Sequence, residues 1–263
     1  MLQKPKHLAS EYGKQFQDRS IVEAYHHRPP YPDEVFDILA GLIHNEPRRV
    51  LDVGCGTGYI ARNFIDCVEE IDAVDFSRNM IEMGKTLPNG DNPRLHWLFG
   101  PVEEVELYPP YALVTAGESL HWMDWNTVLP RFHNVLTPGG YLAIVQHDYL
   151  PDSWVAILSE LIPRYSTNKD YYPFDMIEAW ERHGLFKKAG EKTTSPVPFV
   201  QSVDDCIESY HSRNGFSRER MTPEQAEGFD REAREILLES HGDGMLEMQI
   251  VANVVWGIPL TSP

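Results

Sequence analysis

The chain is poor in positive charge. Lys and Arg number 23 against 40 Asp and Glu over 263 residues, a formal net charge of −17. A surface of that sign repels phosphate, and no block of five or more basic residues offsets it, so no nucleic-acid partner is expected. Cysteine is nearly absent: Cys55, Cys67 and Cys206 are odd in number and show no Cys-x-x-Cys pairing. That indicates neither a disulfide framework nor a cysteine zinc site, and leaves reduced thiols as the expectation. The histidines, including the pair His26 and His27, fall into no His-Glu-x-x-His or similar spacing, so no metal is expected. No apolar run nears the roughly eighteen residues of a bilayer span, and the opening Met-Leu-Gln-Lys-Pro-Lys-His lacks the apolar centre of a signal peptide. A cytoplasmic protein without a membrane partner is expected. Internal repeats and low-complexity tracts are also missing.

The composition, 42% apolar and 24% charged, suits a globular protein with a sizeable core and excludes disorder for most of the chain. The length fits one α/β domain carrying an insertion or a small cap. Residues from about Glu11 to Tyr25 have helical spacing and lead into Arg28-Pro29-Pro30-Tyr31-Pro32, whose prolines force extended or turn backbone. Asp33 is expected to cap a helix running through Ile43. Strands are expected at Arg49–Val53, Ile71–Asp75, Arg94–Phe99, Tyr111–Ala116 and Tyr141–Gln146, mostly separated by helical patterns, as in a parallel sheet covered on both faces. Thr137-Pro138-Gly139-Gly140 ends the fourth crossover. From about Asp148 to Ser195 aromatic residues multiply and strand alternation is lacking, which reads as a lid or cap after the fifth strand. Thr222-Pro223-Glu224-Gln225 is a capping box, and Met248–Trp256 is a last strand expected to close the sheet edge. The resulting division is 1–48, an N-terminal lid and first helices; 49–147, the core; 148–200, the cap; and 201–263, C-terminal helices and closing strand.

The most informative stretch is Val50-Leu51-Asp52-Val53-Gly54-Cys55-Gly56-Thr57-Gly58-Tyr59. Glycines at the mouth of an open α/β sheet let the chain turn tightly and let a ligand approach the backbone. A dinucleotide fingerprint, Gly-x-Gly-x-x-Gly, would need its third glycine where Tyr59 stands; here it comes one residue early, at Gly58. Asp75 ends the next strand, where a carboxylate can accept hydrogen bonds from both ribose hydroxyls of an adenosine.

In these segments the sequence resembles the class I S-adenosylmethionine-dependent methyltransferases. The likeness rests on Leu51 to Gly58, Val74-Asp75-Phe76-Ser77 with Met80, Gly100-Pro101-Val102-Glu103-Glu104-Val105 and Thr137 to Gly140. Arg28 to Pro32, Ser119-Leu120-His121-Trp122 and Val254 to Pro259 point to the small-molecule group that includes trans-aconitate methyltransferase, with a type 11 methyltransferase domain. The resemblance implies a Rossmann-like sheet of seven strands, the last antiparallel, with S-adenosylmethionine over the carboxyl ends of the first strands and S-adenosylhomocysteine as product. It implies that Gly54, Gly56 and Gly58 surround the methionine part, that Asp75 takes the ribose, that Phe76 packs against the adenine and Val102 offers its backbone to the ring edge, and that Asp52, Cys55, Met80, Pro101 and Gly117 are further cofactor contacts. Many relatives carry Asp where this chain has Pro101, and proline offers neither a side-chain acceptor nor an N–H. Arg28 is expected to clamp the cofactor carboxylate in bidentate fashion.

Methyl transfer from a sulfonium is an in-line displacement on an already activated carbon, so the protein chiefly aligns the acceptor and excludes water. A carboxylate acceptor needs no base, a neutral phenol or hydroxyl does, and an amine must be unprotonated. His121 is the expected base or orienting residue, with Tyr12, Tyr25, Trp122 and His147 expected to line the acceptor. The partner expected is a small-molecule acceptor, methylated on O, N or C; the five cap cations Arg164, Lys169, Arg182, Lys187 and Lys188 suit a polycarboxylate, the many aromatic residues an aromatic or amphiphilic molecule, which the reading favours. Two other classes fit the glycine loop: a Rossmann-type oxidoreductase, disfavoured by Tyr59, and a non-catalytic adenosyl-ligand sensor. The sequence carries no signal separating monomer from homodimer.

Overall fold

A computed structural model describes residues 2–150 and 153–261, and in it one mixed sheet runs through the molecule. Its strands are β1 (Arg49–Val53), β2 (Glu70–Asp75), β3 (Leu95–Phe99), β4 (Tyr111–Gly117), β5 (Leu136–Tyr149), β6 (Phe186–Thr193), β7 (Val197–Ser202) and β8 (Met245–Pro259). The order is β3-β2-β1-β4-β5-β8-β6, with β7 also paired to β8. β1 to β5 are parallel; β8 is antiparallel to β5 on one side and to β6 and β7 on the other. The seven positions expected of the sheet are therefore present, the outermost being shared end to end by β6 and β7.

Three expectations need correction. β8 does not close the edge: it lies between β5 and the β6/β7 pair, because its alternating buried residues Leu246, Met248 and Ile250 and its continuous apolar run Val254-Val255 have neighbours on both sides. The region read as lacking strands contains β6, whose Phe-Lys-Lys-Ala-Gly-Glu-Lys-Thr conceals an edge strand because its outward positions face water; residues 151 and 152 of that region lie outside the described residues. The helix expected from Glu11 to Tyr25 is broken into the short pieces Ser10–Gly13, Lys14–Gln17, Arg19–Ala24 and Tyr25–His27, with Asp18 extended at φ −64°, ψ 134° between them. Asp18 leaves the helical path where its carboxylate meets Arg220 Nε at 2.5 Å and Ser217 Oγ at 2.7 Å.

Helices α1 (Glu34–Gly41) and α2 (Tyr59–Phe64) cover one face of the sheet with Val35, Leu39, Ile60 and Phe64, against Val50, Ile71 and Leu113. Asp33 precedes α1 but makes no side-chain cap. Among the helices that follow, α3 (Arg78–Thr86) is capped by the Ser77 hydroxyl, and α4 (Trp125–Val135) covers the other face with Trp125, Val128 and Phe132 against Leu51, Val114 and Ile144. Parallel strands covered on both faces explain why β1 and β4 are buried residue after residue, Asp52 and Thr115 included. The Pro138-Gly139-Gly140 segment lies within β5 at a register shift, with Gly139 at φ 81°. At the C-terminal side, α5 (Val203–His211) and α6 (Pro223–Ser240) bury Ile207, Phe229 and Leu237 against β8, and the capping box of Thr222 and Gln225 is complete.

Candidate functional site

The carboxyl ends of β1, β2 and β4 open into a cavity of about 520 Å³. At its floor Gly54, Gly56 and Gly58 all hold φ between 57° and 72°, the left-handed region where a side chain is strained. At Gly54 a Cβ would also stand 2.5 Å from Ser119 Cβ, and at Gly58 2.4 Å from the Trp97 ring. The loop is pinned to the end of β2: Cys55 N–H donates to Val74 O at 3.0 Å, and Gly56 N–H donates to Asp75 Oδ2 at 2.8 Å. Asp75 Oδ1 accepts from Ser77 N–H at 2.7 Å. Burial pushes the Asp75 carboxyl up to about 6, with those two N–H groups pulling the other way.

The walls combine distant segments. Arg28, Gly54, Gly56, Asp75 and Phe76 line the cavity, as do Met80, Pro101, Val102 and Gly117, so most residues read from the sequence as cofactor contacts meet in one place. Asp52 and Cys55 are not on the wall. Asp52 points inward beneath it, its Oδ1 accepting from Thr115 Oγ at 2.9 Å, and burial drives its carboxyl to about 7. The Cys55 thiol is raised by burial next to Asp75 and Asp52 and is held at 3.7 Å from Gly56 O. Arg28 spends part of its fork inside the protein. Its Nε donates to Ser212 Oγ at 2.7 Å and one terminal nitrogen to Ser212 O, which leaves Nη1, while the guanidinium stacks on Tyr25 at 4.4 Å.

Of the residues expected around an acceptor, Tyr25 and Trp122 face the cavity; His121, Tyr12 and His147 do not line it. His121 lies against the Trp122 ring with centroids 4.6 Å apart, and burial, reinforced by Lys4, Arg28 and His7, pulls its imidazole down to about 3. Such a ring is neutral throughout the physiological range and is a weak proton acceptor. Tyr12 donates its hydroxyl to Asp170 Oδ2 at 3.0 Å. His147 packs between Tyr31 and Tyr149 and is lowered by burial to about 4.

Sequence reasoning missed several wall residues. Phe16 and Gln17 arrive from the N-terminal segment, Gln17 donating to Phe76 O at 3.2 Å, and only tertiary contact reveals them. Phe99, half-exposed with Arg78 stacked on it at 4.2 Å, ends β3 as Asp75 ends β2, a strand-end position that could have been found. Glu118 follows β4 and no residue pattern marks it; Ser119, next to it, opens the Ser119 to Trp122 segment but was given no place on the wall. The Tyr59 ring packs on Tyr31 and Phe36 where a dinucleotide loop would keep its third glycine.

Residues 50–140 match a family described as methyltransferase domain. An uncharacterized methyltransferase of Mycobacterium tuberculosis is 33% identical over 150 residues, 55% of this chain and 58% of that protein. Trans-aconitate 2-methyltransferase of Pseudomonas paraeruginosa is 30% identical over 133 residues, 49% of this chain and 46% of that enzyme. The chain thus spans little more than half the length of the first curated relatives it matches. Among solved structures, a putative type II methyltransferase from Anaeromyxobacter dehalogenans superposes with a TM-score of 0.58 at 19% identity, covering 89% of this chain and 99% of that one, a likeness of fold.

Proposed function

We propose that residues 50–140, which match a methyltransferase domain family, bind S-adenosylmethionine, and that the chain transfers its methyl group to a small organic acceptor with an apolar body. The observation that carries the reading is the meeting of Gly56 N–H and the Asp75 carboxylate at the mouth of the sheet, inside a cavity lined by Phe76, Val102 and Arg28. These residues fit the cofactor. Each Asp75 oxygen keeps a second lone pair for a ribose hydroxyl while it holds the loop, Phe76 and Val102 offer apolar faces to an adenine, and Arg28, on the same cavity, keeps N–H groups for a carboxylate. The cofactor supplies an activated methyl group; the chain's residues hold it, exclude water and align the acceptor.

The acceptor reading rests on the cavity's outer wall, which is formed by Phe16, Tyr25, Trp122 and Met123. A relative named for trans-aconitate invites a polycarboxylate, but none of the five cap cations lines the cavity, and three of them are engaged elsewhere. Arg164 pairs with Glu232 at 2.8 Å, Lys188 with Glu191 at 2.8 Å, and Lys169 donates to Pro163 O at 2.9 Å. His121, neutral and outside the cavity, acts on the acceptor only through the Trp122 ring it packs against and does not take the acceptor's proton. Calorimetric titration with S-adenosylhomocysteine tests the cofactor assignment, and transfer of tritiated methyl into fractionated metabolite extracts tests the acceptor class. No heat with S-adenosylhomocysteine at 1 mM overturns the first; label found in polycarboxylates overturns the second.

A further inference from the structure

Nearly a third of the cavity's wall comes from residues 10–28, which supply seven of its 24 lining residues, Phe16, Gln17, Tyr25 and Arg28 among them. Tyr25 lies directly on the glycine loop, since a Cβ on Gly56 would stand 3.3 Å from its hydroxyl oxygen. Yet the segment has little to fix its own shape. Its helical pieces are three to six residues long, far below what holds a helix in water. Its buried apolar side chains Ile21 and Val22 meet Met80 in a small cluster apart from the cores of the sheet.

What fixes it is a distant loop, residues 212–220, that lines no part of the cavity. Asn214 donates to Tyr12 O at 2.7 Å, Gly215 N–H to Gln15 Oε1 at 3.0 Å, Ser217 Oγ and Arg220 Nη2 to Asp18 at 2.7 and 2.8 Å, and Ser212 accepts from Arg28 Nε at 2.7 Å. The loop is anchored in turn by His211, the fully buried last residue of α5. A carbonyl oxygen can only accept, so His211 Nδ1 donates to Phe216 O, at 2.8 Å, while Nε2 meets Asp230 Oδ1 of α6 at 2.7 Å. Phe216 packs on Phe229 of α6 with ring centroids 4.8 Å apart. His211 thus ties the loop to two helices whose apolar cluster is separate from those beneath the cavity.

We propose that loop 212–220 is the seat on which the cavity's cover closes, and that His211 is its positioning residue: it touches no ligand, but by holding Phe216 it holds the loop that places Phe16 and Tyr25. This rests on the cofactor reading above for the ligand's identity, and it adds a means by which the C-terminal helices set how fast the cavity exchanges that ligand. A ligand on the glycine loop lies under Tyr25, so it enters and leaves when the bonds of the seat part. The same bonds close the cover over the empty and the filled cavity, so loosening them speeds both directions and leaves the affinity nearly unchanged. A residue that binds the ligand itself behaves otherwise, because its loss speeds departure alone.

Stopped-flow mixing with S-adenosylhomocysteine, followed by tryptophan fluorescence with Trp122 on the cavity wall, reads both rates. Asn214→Ala removes one bond of the seat, His211→Leu removes its anchor, and His211→Asn keeps an amide N–H for Phe216 O. Asn214→Ala and His211→Leu are expected to raise association and dissociation together by about threefold to thirtyfold, with the dissociation constant changed less than about threefold, and His211→Asn to return most of the way to the parent. In the ligand-free protein, proteolysis within residues 10–28 is expected to quicken in Asn214→Ala. Should His211→Leu fail to fold, Asn214→Ala carries the test. Unchanged rates in that variant overturn the proposal, as does faster dissociation with unchanged association, which marks a loss of binding contacts. His211→Asn no better than a folded His211→Leu takes the positioning role from His211. Failure of the unmutated protein to bind S-adenosylhomocysteine strikes the cofactor reading instead, and the proteolysis then decides the seat: cleavage no faster in Asn214→Ala overturns it.

Discussion

At the glycine loop the polar groups facing the cavity are main-chain N–H groups, held by one carboxylate on the adjacent strand. Beneath the N-terminal segment the ties are side chains reaching across the fold: Gln15 accepts from Gly215 N–H at 3.0 Å, Asn214 donates to Tyr12 O at 2.7 Å, Asn168 to His7 O at 3.1 Å and Arg220 to Asp18. The first arrangement is fixed by backbone conformation over a few residues and survives as a unit. The second consists of separable bonds between segments some two hundred residues apart, each removable without disturbing the sheet. On the proposed function, the difference divides the cavity into a rigid end for the cofactor and a cover, tied by separable bonds, for the acceptor.

The strongest way to break the comparison is Gly54→Val. A β-branched residue at φ 60° with a Cβ meeting Ser119 at 2.5 Å is expected to cost about 3–5 kcal/mol. Thermal unfolding reads the stability and calorimetry the S-adenosylhomocysteine affinity, which is expected to disappear. A stable, binding variant would show that the loop is not rigid.

Titration sharpens the contrast, because two buried groups beside the cavity, Asp52 under the glycine loop and His121 behind Trp122, respond to pH with opposite sign. Asp52 is raised from 3.8 to about 7, so the folded protein binds a proton more tightly than the unfolded one, and stability falls as pH rises from about 4 to 7. Asp52→Asn is expected to match the parent at pH 4 and to exceed it by about 2–4 kcal/mol above pH 7. His121 is lowered from 6.5 to about 3, so its contribution is present above pH 6.5 and is lost on acidification. His121→Phe is expected to gain about 2 kcal/mol over the parent at pH 5 and nothing at pH 8. Its turnover should fall by a factor that stays constant from pH 6 to 9, as an orienting ring requires; a loss that shrinks with rising pH would restore the base.

The smallest effect is expected from Asp18→Ala. It removes the Arg220 and Ser217 contacts of a carboxylate on the cover, worth about 1 kcal/mol with Arg220 partly in water. Limited proteolysis should then cut within about residues 10–28 several times faster, with S-adenosylhomocysteine affinity reduced only a few-fold. Unchanged cleavage would mean that the remaining ties hold the cover alone.

What was legible in the sequence follows the same division. Gly54 to Gly58 and Asp75 were readable because a positive φ and a strand-end carboxylate leave residue-type signatures within 25 positions, and the Thr222 and Gln225 capping box because its chemistry is local. The strand β6 was not, since Lys187, Lys188 and Glu191 face water at an edge and dilute the alternation. Neither was the break at Asp18, which depends on Arg220, nor Glu118, whose backbone conformation no side chain announces.

The place of β8 bears on how the molecule is made. Residues 250–257 pair one by one with 142–149 of β5, while the other edge of β8 takes β6 and β7, all of which precede it in the chain. On a ribosome, β5 therefore emerges with the backbone donors and acceptors of one edge unpaired, and β6 and β7 emerge with no strand partner until β8 is made. The parallel part, β1 to β5, can assemble first, but the antiparallel part must wait for β8 to pair with β5 and give β6 and β7 an edge. Such long-range closure is slow, and open edges in the interval are where one nascent chain can pair with another. Slowing elongation before β8 should therefore lower the soluble yield more than an equal pause placed before β4.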